Sequence, residues 1–545
     1  MLSQMLLAAG APGSLDLDTD TRSWVLVGFL TFIVPMLLIC VLNGPERDRV
    51  NDFYTAGRRL RPVQGAIVLS GVYLSAATVL GTTGAVAVFG FDGLFIALCT
   101  MLSLGVLLLL SGPLRERGSY TLGDTFALRA PGPAVRIAAA VVTLSACIPY
   151  LIVQLSGAGR TTAMLLGLSG PGAEQTVIVM IGTLVVCATA FGGMRGMIAL
   201  QMIKTVFLLA MALAVAAVLL HRFHWSADSL IDTAARGSGR PEGYMRPGLR
   251  FAAGGPVEST LDFIGLMITV VLGVACLPHV ATQLNTAPDP AVARRTVRHT
   301  IGIVGAVCLV TTVMGFGAAA VIGAPRILAA DPGATSSLLM LTGDLAGGSS
   351  ARTGEAWLVV LVACAVFLTT LAVVASVTLA AAGAVAHDLV TNVVRRGRTT
   401  EGREVAAARI ASALVGVLSI FCAVWVHGWN MGFLSTLSLA VAASSLLPAL
   451  VYALFWRGFT RRGLLWTLYG GLGSAIGLQV CSPVFSGNPM ALVPEWHIDW
   501  FPLQTVALVS LPVAFLLGWL GSVTGPRHTA PVAEASPVKP DALTY

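Results

Sequence analysis

Five polar side chains stand inside long apolar stretches of the sequence, where they could recognise a solute: Tyr73, Ser75, Thr78, Gln154 and Gln201. At bilayer depth an unpaired polar atom is costly, so each side chain needs a hydrogen-bonding partner or a polar cavity. A hydroxyl can instead bond back to its own helix, and an amide can simply join two helices. We predict that these five contact a small polar solute, with helix-to-helix bonding as the alternative.

The composition around these side chains is that of a membrane protein. Of the 545 residues, 56% are hydrophobic and 11% are charged, and the mean hydropathy is +0.84, whereas soluble proteins carry about 25% charged residues. The net charge of +7 comes from arginines in short clusters between apolar stretches, which indicates membrane topology and argues against a nucleic-acid partner. The sequence contains no nucleotide-binding loop, no Ser/His/Asp set and no Cys/His metal motif. We therefore predict that the protein is not an enzyme and has no cofactor, and no metal other than a transported cation.

Thirteen apolar stretches approach the length, about 20 residues, that a helix needs to cross a bilayer. A spanning helix satisfies its own backbone hydrogen bonds inside lipid, so the predicted fold class is all-α integral membrane. The stretches lie at 24–43, 63–88, 93–113, 134–165, 175–192, 197–220, 259–284, 301–323, 356–386, 406–426, 431–456, 464–482 and 502–522.

Arginine clusters follow the odd-numbered stretches. Because basic loops stay in the cytoplasm, the N-terminus is predicted to lie outside and the C-terminus inside, in a multi-pass protein of a bacterial inner (cell) membrane. The arginines are Arg47, Arg49, Arg58, Arg59 and Arg61, then Arg115, Arg117, Arg129 and Arg136, then Arg195, then Arg294, Arg295 and Arg298, then Arg395, Arg396, Arg398 and Arg403, and last Arg457, Arg461 and Arg462.

Two stretches are interrupted by glycine or proline, the second around Gly71 and the seventh before Pro278. In transporters such breaks, at matching places in two halves, mark the solute and ion sites, although glycine also serves close helix packing. Carbonyls at a break could bind a cation, and a half-helix beginning near Ser75 could bind a carboxylate at its N-terminus. The breaks are five helices apart, which reverses the orientation and predicts inverted repeats of five helices each.

The predicted organisation has six parts. They are 1–61, with an external N-terminus, a peripheral helix and a cytoplasmic loop; 62–220, the first repeat; 221–258, an external loop; 259–456, the second repeat; 457–523, two peripheral helices; and 524–545, a disordered cytoplasmic tail.

Several short motifs, in the same order along the chain, resemble those of the sodium:solute symporter family, and most closely those of its cation/acetate and other monocarboxylate symporters. The resemblance runs from about residue 52 to residue 460 and implies the leucine-transporter fold, with ten core helices, one helix before them and two after. The motifs are 52–58 (DFYTAGR), 73–77 (YLSAA), 150–154 (YLIVQ), 157–159 (GAG), 191–194 (FGGM), 277–279 (LPH), 371–374 (LAVV), 387–389 (HDL) and 440–444 (AVAAS).

The resemblance also implies a sodium site at the first broken helix. Carried over by position, Gly71 and Leu74 supply carbonyl groups, Val373 supplies a third, and Ser376 supplies a hydroxyl.

Three positions depart from the family pattern. Val377 stands where many relatives carry a second hydroxyl, Val72 where acetate-type relatives carry an acid, and Gln283 where they carry a basic residue. Because a valine side chain offers no ligand to Na⁺, the coupling cation is left open between Na⁺ and H⁺.

Five charged or titratable positions have more ordinary predicted roles. Lys204 and Arg160 are expected to extend toward the membrane interface. His279 and the pair 387–388 (HD) are expected to cap or gate helices at their cytoplasmic ends.

These observations predict a secondary active symporter that couples cation influx to uptake of a small monocarboxylate such as acetate, propionate or pyruvate. Its expected partners are an anionic solute and membrane lipid. Two alternatives are a symporter for another organic solute, such as an amino acid or sugar, and a sensor or partner subunit that binds solute without moving it.

Overall fold

The chain is mainly helical in the residues that its computed structural model describes, which are 19–44, 49–166, 172–252, 255–347, 357–426, 431–487 and 491–525. Within those ranges the extended structure amounts to one isolated β-bridge, between Ser486 and Val493. The start of the predicted N-terminal part and almost all of the predicted tail lie outside the described residues.

Twenty α-helices form the described part of the bundle. They are α1 (Thr19–Leu42), α2 (Val50–Thr55), α3 (Pro62–Tyr73), α4 (Ala76–Phe89), α5 (Phe91–Arg117), α6 (Leu122–Arg129), α7 (Pro133–Leu166), α8 (Ala173–Arg222), α9 (Ala227–Gly237), α10 (Pro256–Cys276), α11 (Pro278–Gln283), α12 (Pro290–Val321), α13 (Ala324–Ala330), α14 (Ser337–Leu345), α15 (Trp357–Gly383), α16 (Glu401–Trp425), α17 (Met431–Val441), α18 (Leu447–Phe455), α19 (Arg461–Val480) and α20 (Ala507–Val523). Two π-helical segments, Ala384–Val394 and Ala442–Leu446, continue α15 and α17.

Among the described residues, eight helices are long and apolar enough to cross a membrane, or nine if the bent pair α3 and α4 forms one span. Helix α20, with 17 residues, is shorter than these. Helix α8 has 50 residues, and a straight helix of that length would extend about 75 Å, more than twice the thickness of a bilayer core. A non-helical backbone at Gly193 (φ 51°, ψ −156°) divides it into 173–192 and 194–222, which match the two stretches predicted there.

Both predicted helix breaks are confirmed. Helix α3 ends at Tyr73 and α4 begins at Ala76, and their axes differ by 60°. Ser75 starts α4 as its N-cap, with extended backbone angles and a side chain that accepts a bond from the amide of Thr78. The second break lies at Leu277, whose ψ of 133° is extended, because Pro278 disfavours a helical residue before it and cannot donate a backbone hydrogen bond.

Helix α15 forms the centre of the bundle. Almost all of its residues are buried, and it packs against α3, α4, α7, α8 and α11. Its sequence is apolar on every side and carries no Asp, Glu, Lys, Arg or His, as expected of a helix that has neighbours all around it. The broken helices therefore lie against a rigid apolar support.

One end of the bundle, which we name the arginine-rich end after Arg58, Arg117, Arg129 and Arg136, is held by a buried ion network. His387 contacts two carboxylates, Glu404 through Nδ1 at 2.6 Å and Asp124 through Nε2 at 3.0 Å. An imidazole that donates from both nitrogens is charged.

A guanidinium completes this network. Arg136 contacts an Oδ1 atom of Asp124 at 3.0 Å and of Asp388 at 2.8 Å. The network joins α6, α7, α16 and the π-helical segment Ala384–Val394. The positions 387 and 388, predicted to cap or gate a helix end, thus connect four elements.

The charge of Asp124 is stabilised by its neighbours. Burial alone would raise the pKa of Asp124, but the hydrogen bond and charge of His387, the charge of Arg136 and the amide of Tyr120 together lower it from 3.8 to about 2. A lowered pKa contributes stability that is present above the ordinary value and is lost as the pH falls toward the lowered value. We therefore expect this contribution to be constant at neutral pH and to disappear between about pH 4 and pH 2.

Helix α4 packs closely on the segment before α14. A Cβ at Gly84 would overlap the carbonyl oxygen of Ala334, whereas a Cβ at Gly81, one turn earlier, would meet no atom within 4 Å. We expect Gly84→Ala to cost about 1 to 3 kcal/mol through overpacking, with Gly81→Ala as the matched control. Thermal unfolding of the purified protein in detergent measures both. Equal melting temperatures for the two variants would contradict this packing.

The ion network suggests a second matched pair of variants, both on α16. Glu404→Gln removes a buried carboxylate that contacts His387, whereas Glu401→Gln changes an exposed residue one turn earlier. Because it leaves a buried charge without one partner, Glu404→Gln should lower the free energy of unfolding by about 3 kcal/mol. Chemical denaturation measures the difference, and a Glu404→Gln variant as stable as Glu401→Gln would show that the network does not hold this end together.

Candidate solute and cation site

The N-terminus of α4 faces the first helix break with a hydroxyl pair. Ser75 Oγ accepts a bond from the Thr78 amide at 3.0 Å and lies 3.0 Å from Thr78 Oγ1, which itself donates to the Tyr73 carbonyl at 3.2 Å. The first amide groups of a helix have no acceptor within the helix, and its dipole places partial positive charge there. This end of α4 can attract an anion.

One aromatic side chain from another helix lies beside Ser75, and a second lies against that ring. The Tyr150 hydroxyl on α7 interacts with the Ser75 side chain, and the Tyr150 ring lies 5.4 Å from the ring of His279, between centroids. His279 is 3% exposed, and neither of its nitrogens has a hydrogen-bond partner among the described residues. The expectation that His279 caps a helix end is therefore wrong. A buried polar nitrogen without a partner is costly, so this imidazole is available to a solute.

The remaining predicted solute contacts are divided between two roles. Gln154 lies one turn after Tyr150 on α7, is 1% exposed, and has neither amide atom paired within the described part of the chain. Gln201 on α8 donates to the Ala372 carbonyl at 2.9 Å, while its Oε1 has no partner in those same ranges. Tyr73 instead joins two helices, since its hydroxyl accepts a bond from Ser103 at 3.3 Å. Of these three side chains, Gln154 has the most hydrogen-bonding atoms without a partner among the described residues.

Two of the four predicted cation ligands contact a lysine. The amino group of Lys204 donates to the carbonyl oxygen of Gly71 and, at 2.6 Å, to that of Leu74. Across the break, Ser376 Oγ donates to the Val373 carbonyl at 2.9 Å, which is the bond back to its own helix that serine commonly makes in membranes.

The expectation that Lys204 extends to the membrane interface is wrong, because its side chain is 0% exposed. Gln201, Lys204 and Thr205 are three and four residues apart and lie on one face of α8. That face packs on α3, and Thr205 donates to the Ile67 carbonyl at 2.9 Å. The helices meet closely because a Cβ at Gly71 would lie 2.5 Å from Gln201 Oε1.

Arg160, the other residue expected at the interface, is 45% exposed and pairs with Asp331 at 3.2 Å.

The three departures from the family pattern are all buried. Val72 and Val377 are 1% and 0% exposed and belong to the apolar core. Gln283 donates to Thr286 Oγ1 at 3.3 Å and lines a small, mostly apolar cavity with Leu60 and Leu69. This cavity includes none of the predicted solute contacts.

One group of side chains among the described residues has the ligand types of a metal site. Atoms of Asp124, His387 and Asp388 lie within 4.8 Å of one another. The Arg136 guanidinium, however, already contacts both carboxylates, and His387 also contacts Glu404. The positive charge that a metal would supply is present in the side chains themselves.

Comparison with known proteins identifies the family of this chain. The profile of the sodium:solute symporter family matches residues 53–471. The monocarboxylic acid transporter of Corynebacterium glutamicum is 35% identical over 510 residues, which cover 91% of this chain and 90% of that protein. The uncharacterized symporter YwcA of Bacillus subtilis is 34% identical over 511 residues, which cover 92% of this chain and 94% of that protein.

Solved structures agree on the fold. A Na⁺-coupled sialic acid symporter, in a substrate-bound outward-open state, superposes with a TM-score of 0.70 at 13% identity, covering 92% of this chain and 96% of that one. MHP1, a nucleobase-cation-symport-1 family transporter in a closed conformation with bromovinylhydantoin bound, gives a TM-score of 0.53 at 16% identity, covering 89% and 96%. The predicted leucine-transporter fold is confirmed, and the chain belongs to the sodium:solute symporter family.

Proposed function

We propose that this protein is a secondary active symporter that couples inward flow of a cation, Na⁺ or H⁺, to uptake of a small monocarboxylate such as acetate, propionate or pyruvate. The observation that carries the proposal is the buried imidazole of His279, which has no hydrogen-bond partner among the described residues and lies beside Tyr150, whose hydroxyl interacts with Ser75 at the N-terminus of α4. The name of the Corynebacterium relative, a monocarboxylic acid transporter, supports the choice of solute.

The carboxylate would bind where several donors converge. The amide groups at the start of α4 and the Tyr150 hydroxyl would contact its oxygens, and the His279 ring would donate from one nitrogen. Gln154, one turn along α7 from Tyr150, would contact the carbonyl oxygen of a solute such as pyruvate. Alternating access would proceed by movement of the broken helices past α15.

The orientation in the membrane follows from the arginines. The arginine-rich end would face the cytoplasm, which leaves the N-terminus outside and the C-terminus inside an inner (cell) membrane. The network of His387 would then close the cytoplasmic side, and the pair between Arg160 and Asp331 would lie toward the external side. The solute, a small anion, would be the principal partner besides lipid.

A second candidate function is symport of a different organic solute. Val72 and Gln283 stand where acetate-type relatives carry an acid and a base, and Gln283 bonds only to Thr286 among the described residues. A thermal-shift screen of carboxylates, amino acids and sugars on the purified protein would discriminate. Stabilisation by an amino acid or a sugar but by no short-chain acid would favour this second candidate, whereas stabilisation without any transport would indicate a sensor.

The direct test is uptake of radiolabelled pyruvate by proteoliposomes. Pyruvate is the sharpest probe because it is a stronger acid than acetate and crosses protein-free lipid less readily in its neutral form. We expect accumulation above protein-free liposomes when a cation gradient is imposed inward, and competition by unlabelled acetate and propionate. If no short-chain acid enters under either a Na⁺ or an H⁺ gradient, the proposal is wrong.

The donors at the site give a residue-level prediction. His279→Gln and Tyr150→Phe each remove a bond to a charged ligand, worth about 1.5 to 3 kcal/mol, so the KM for pyruvate should rise about tenfold to a hundredfold. His299→Gln, on the exposed face of α12, is the control. Initial rates of uptake over a range of pyruvate concentrations measure the effect. An unchanged KM in both site variants would remove these residues from the solute site.

A further inference from the structure

Arg160 lies near the end of α7 that is farthest from the arginine-rich end. It follows Arg136 by 24 residues and Tyr150 by 10 on the same helix, distances of about 36 Å and about 15 Å along a straight helix. Its Nη1 atom is 3.2 Å from Oδ1 of Asp331, and the two side chains are 45% and 2% exposed. A partly exposed guanidinium therefore lies about three helical turns from the candidate solute site.

The carboxylate of Asp331 is held in place without Arg160. Its Oδ1 accepts a bond from the Gly333 amide at 3.0 Å, and its Oδ2 accepts bonds from the Ser336 amide at 3.0 Å and from Thr335 Oγ1 at 2.7 Å. Within the described part of the chain, Arg160 pairs with this carboxylate alone and through one nitrogen, although a guanidinium has five N–H donors. Another carboxylate can therefore replace Asp331 at Arg160 while Asp331 keeps its three hydrogen bonds.

Between Tyr150 and Arg160, helix α7 has an open face on the side away from its exposed apolar residues. In the first half of α7 these apolar residues include Ile137 and Val141. Gly157 follows Val141 by 16 residues, which at about 100° per residue places it on the opposite side of the helix. Gly157 is nevertheless partly exposed, and a Cβ there would meet no atom within 4 Å. Because Gly157 lies two turns beyond Tyr150 on nearly the same face, this open space continues outward from the solute site.

Helix α4 has a similar open face. Most of its residues are buried, but Ala77, Thr78 and Gly81 are partly exposed, and their spacing places them on one side of the helix. A Cβ at Gly81 would meet no atom within 4 Å. One turn further on, Gly84 packs against the segment 331–336, which contains the carboxylate that the α7 arginine contacts. The open face of α4 thus ends at this segment.

The two open faces share both of their ends. At one end, Ser75 at the start of α4 interacts with Tyr150 on α7. At the other end, the segment 331–336 contacts both helices, α4 at Gly84 and α7 at Arg160. Because α4 and α7 also pack on each other, the open spaces beside them form one groove, which we name the α4–α7 groove. It leads from the candidate solute site to a mouth at Arg160.

We propose that Arg160 captures the carboxylate of the solute at the mouth of the α4–α7 groove, in exchange for Asp331, before the solute passes inward to Ser75 and Tyr150. The proposal rests on the symport function proposed above and adds to it a residue that selects anions during entry. A guanidinium can bind a carboxylate through two parallel hydrogen bonds, whereas one nitrogen of Arg160 contacts Asp331. When the solute moves inward, Arg160 returns to Asp331.

Initial rates of pyruvate uptake by proteoliposomes test the proposal. Arg160→Gln should lower kcat/KM about tenfold, because attraction by a charge accelerates association by at least that factor, while kcat should change by less than about twofold. Arg160→Lys keeps the charge but not the paired donors, so its kcat/KM should lie between those of the wild type and Arg160→Gln. Arg222→Gln is the matched control, since Arg222 pairs with Asp344 in an exposed contact, and it should behave as the wild type.

Ionic strength provides a measurement that needs no variant. Raising it with choline chloride on both sides of the membrane screens the charge, so the kcat/KM of the wild type should fall while that of Arg160→Gln stays nearly constant. If Arg160→Gln does not purify as a single species, Arg160→Lys and the salt series of the wild type decide the matter.

Two results would overturn the capture role. One is an Arg160→Gln variant with a lower melting temperature but the kcat/KM of the wild type, which would show that the ion pair only joins two elements. The other is a wild-type kcat/KM that does not respond to salt. A wild type that moves no carboxylate at all would instead contradict the symport function, and the capture role with it.

Discussion

A helix interrupted inside a bilayer leaves backbone groups that water does not reach, and each must find a partner within the protein. In this chain the constraint acts at 74–75, where α3 ends and α4 begins. The carbonyls of Gly71 and Leu74 are bonded by Lys204, and the Thr78 amide is bonded by Ser75. The bent geometry persists because both sides of the break are compensated, one by an amino group and the other by a hydroxyl.

This compensation explains why the surroundings of the break are arranged as they are. Helix α8 must pack close to α3 for Lys204 to reach these carbonyls. For this reason Gly71 has no room for a Cβ beside Gln201. Helix α15 must be apolar on all sides because it supports both broken helices. On the other side of the break, the α4 N-terminus has Tyr150 beside it and His279 against the Tyr150 ring, and these groups would offer donors to an anion.

The ion network at the arginine-rich end has a different role, which is to hold that end of the bundle together. His387 and Arg136 supply positive charge to three carboxylates on elements distant in sequence. Such a closed set of charges is stable when complete and costly when one member is missing. It therefore suits an end of the bundle that must close firmly and, in a transport cycle, open as a unit.

Much of this fold could be predicted from the sequence because its signals are local. Pro278 and the glycines near Gly71 marked both breaks, and the length of each apolar stretch marked the helices. The non-helical backbone at Gly193 was also anticipated, since separate apolar stretches were predicted before and after it.

The site was predicted less completely, for a physical reason. Helices such as α8 and α15 are apolar on almost every side, so periodicity does not reveal which face meets a neighbour. The position of Lys204 toward α3 rather than lipid was missed on that account, although its spacing from Gln201 and Thr205 contained the signal. His279 was missed because its partner Tyr150 is distant in sequence, and nothing local indicates their stacking.

The chain itself provides a direct measurement of the contact at the break, because it contains only two lysines, Lys204 and Lys539. Protein labelled with ¹⁵N at lysine Nζ gives two NMR signals, and Lys539→Arg assigns them. Our account predicts that the Lys204 amino group holds the carbonyls of Gly71 and Leu74, so saturating Na⁺ does not move its signal. A Lys204 signal that shifts on addition of Na⁺, as the ion takes over the carbonyls of Gly71 and Leu74, would contradict the account.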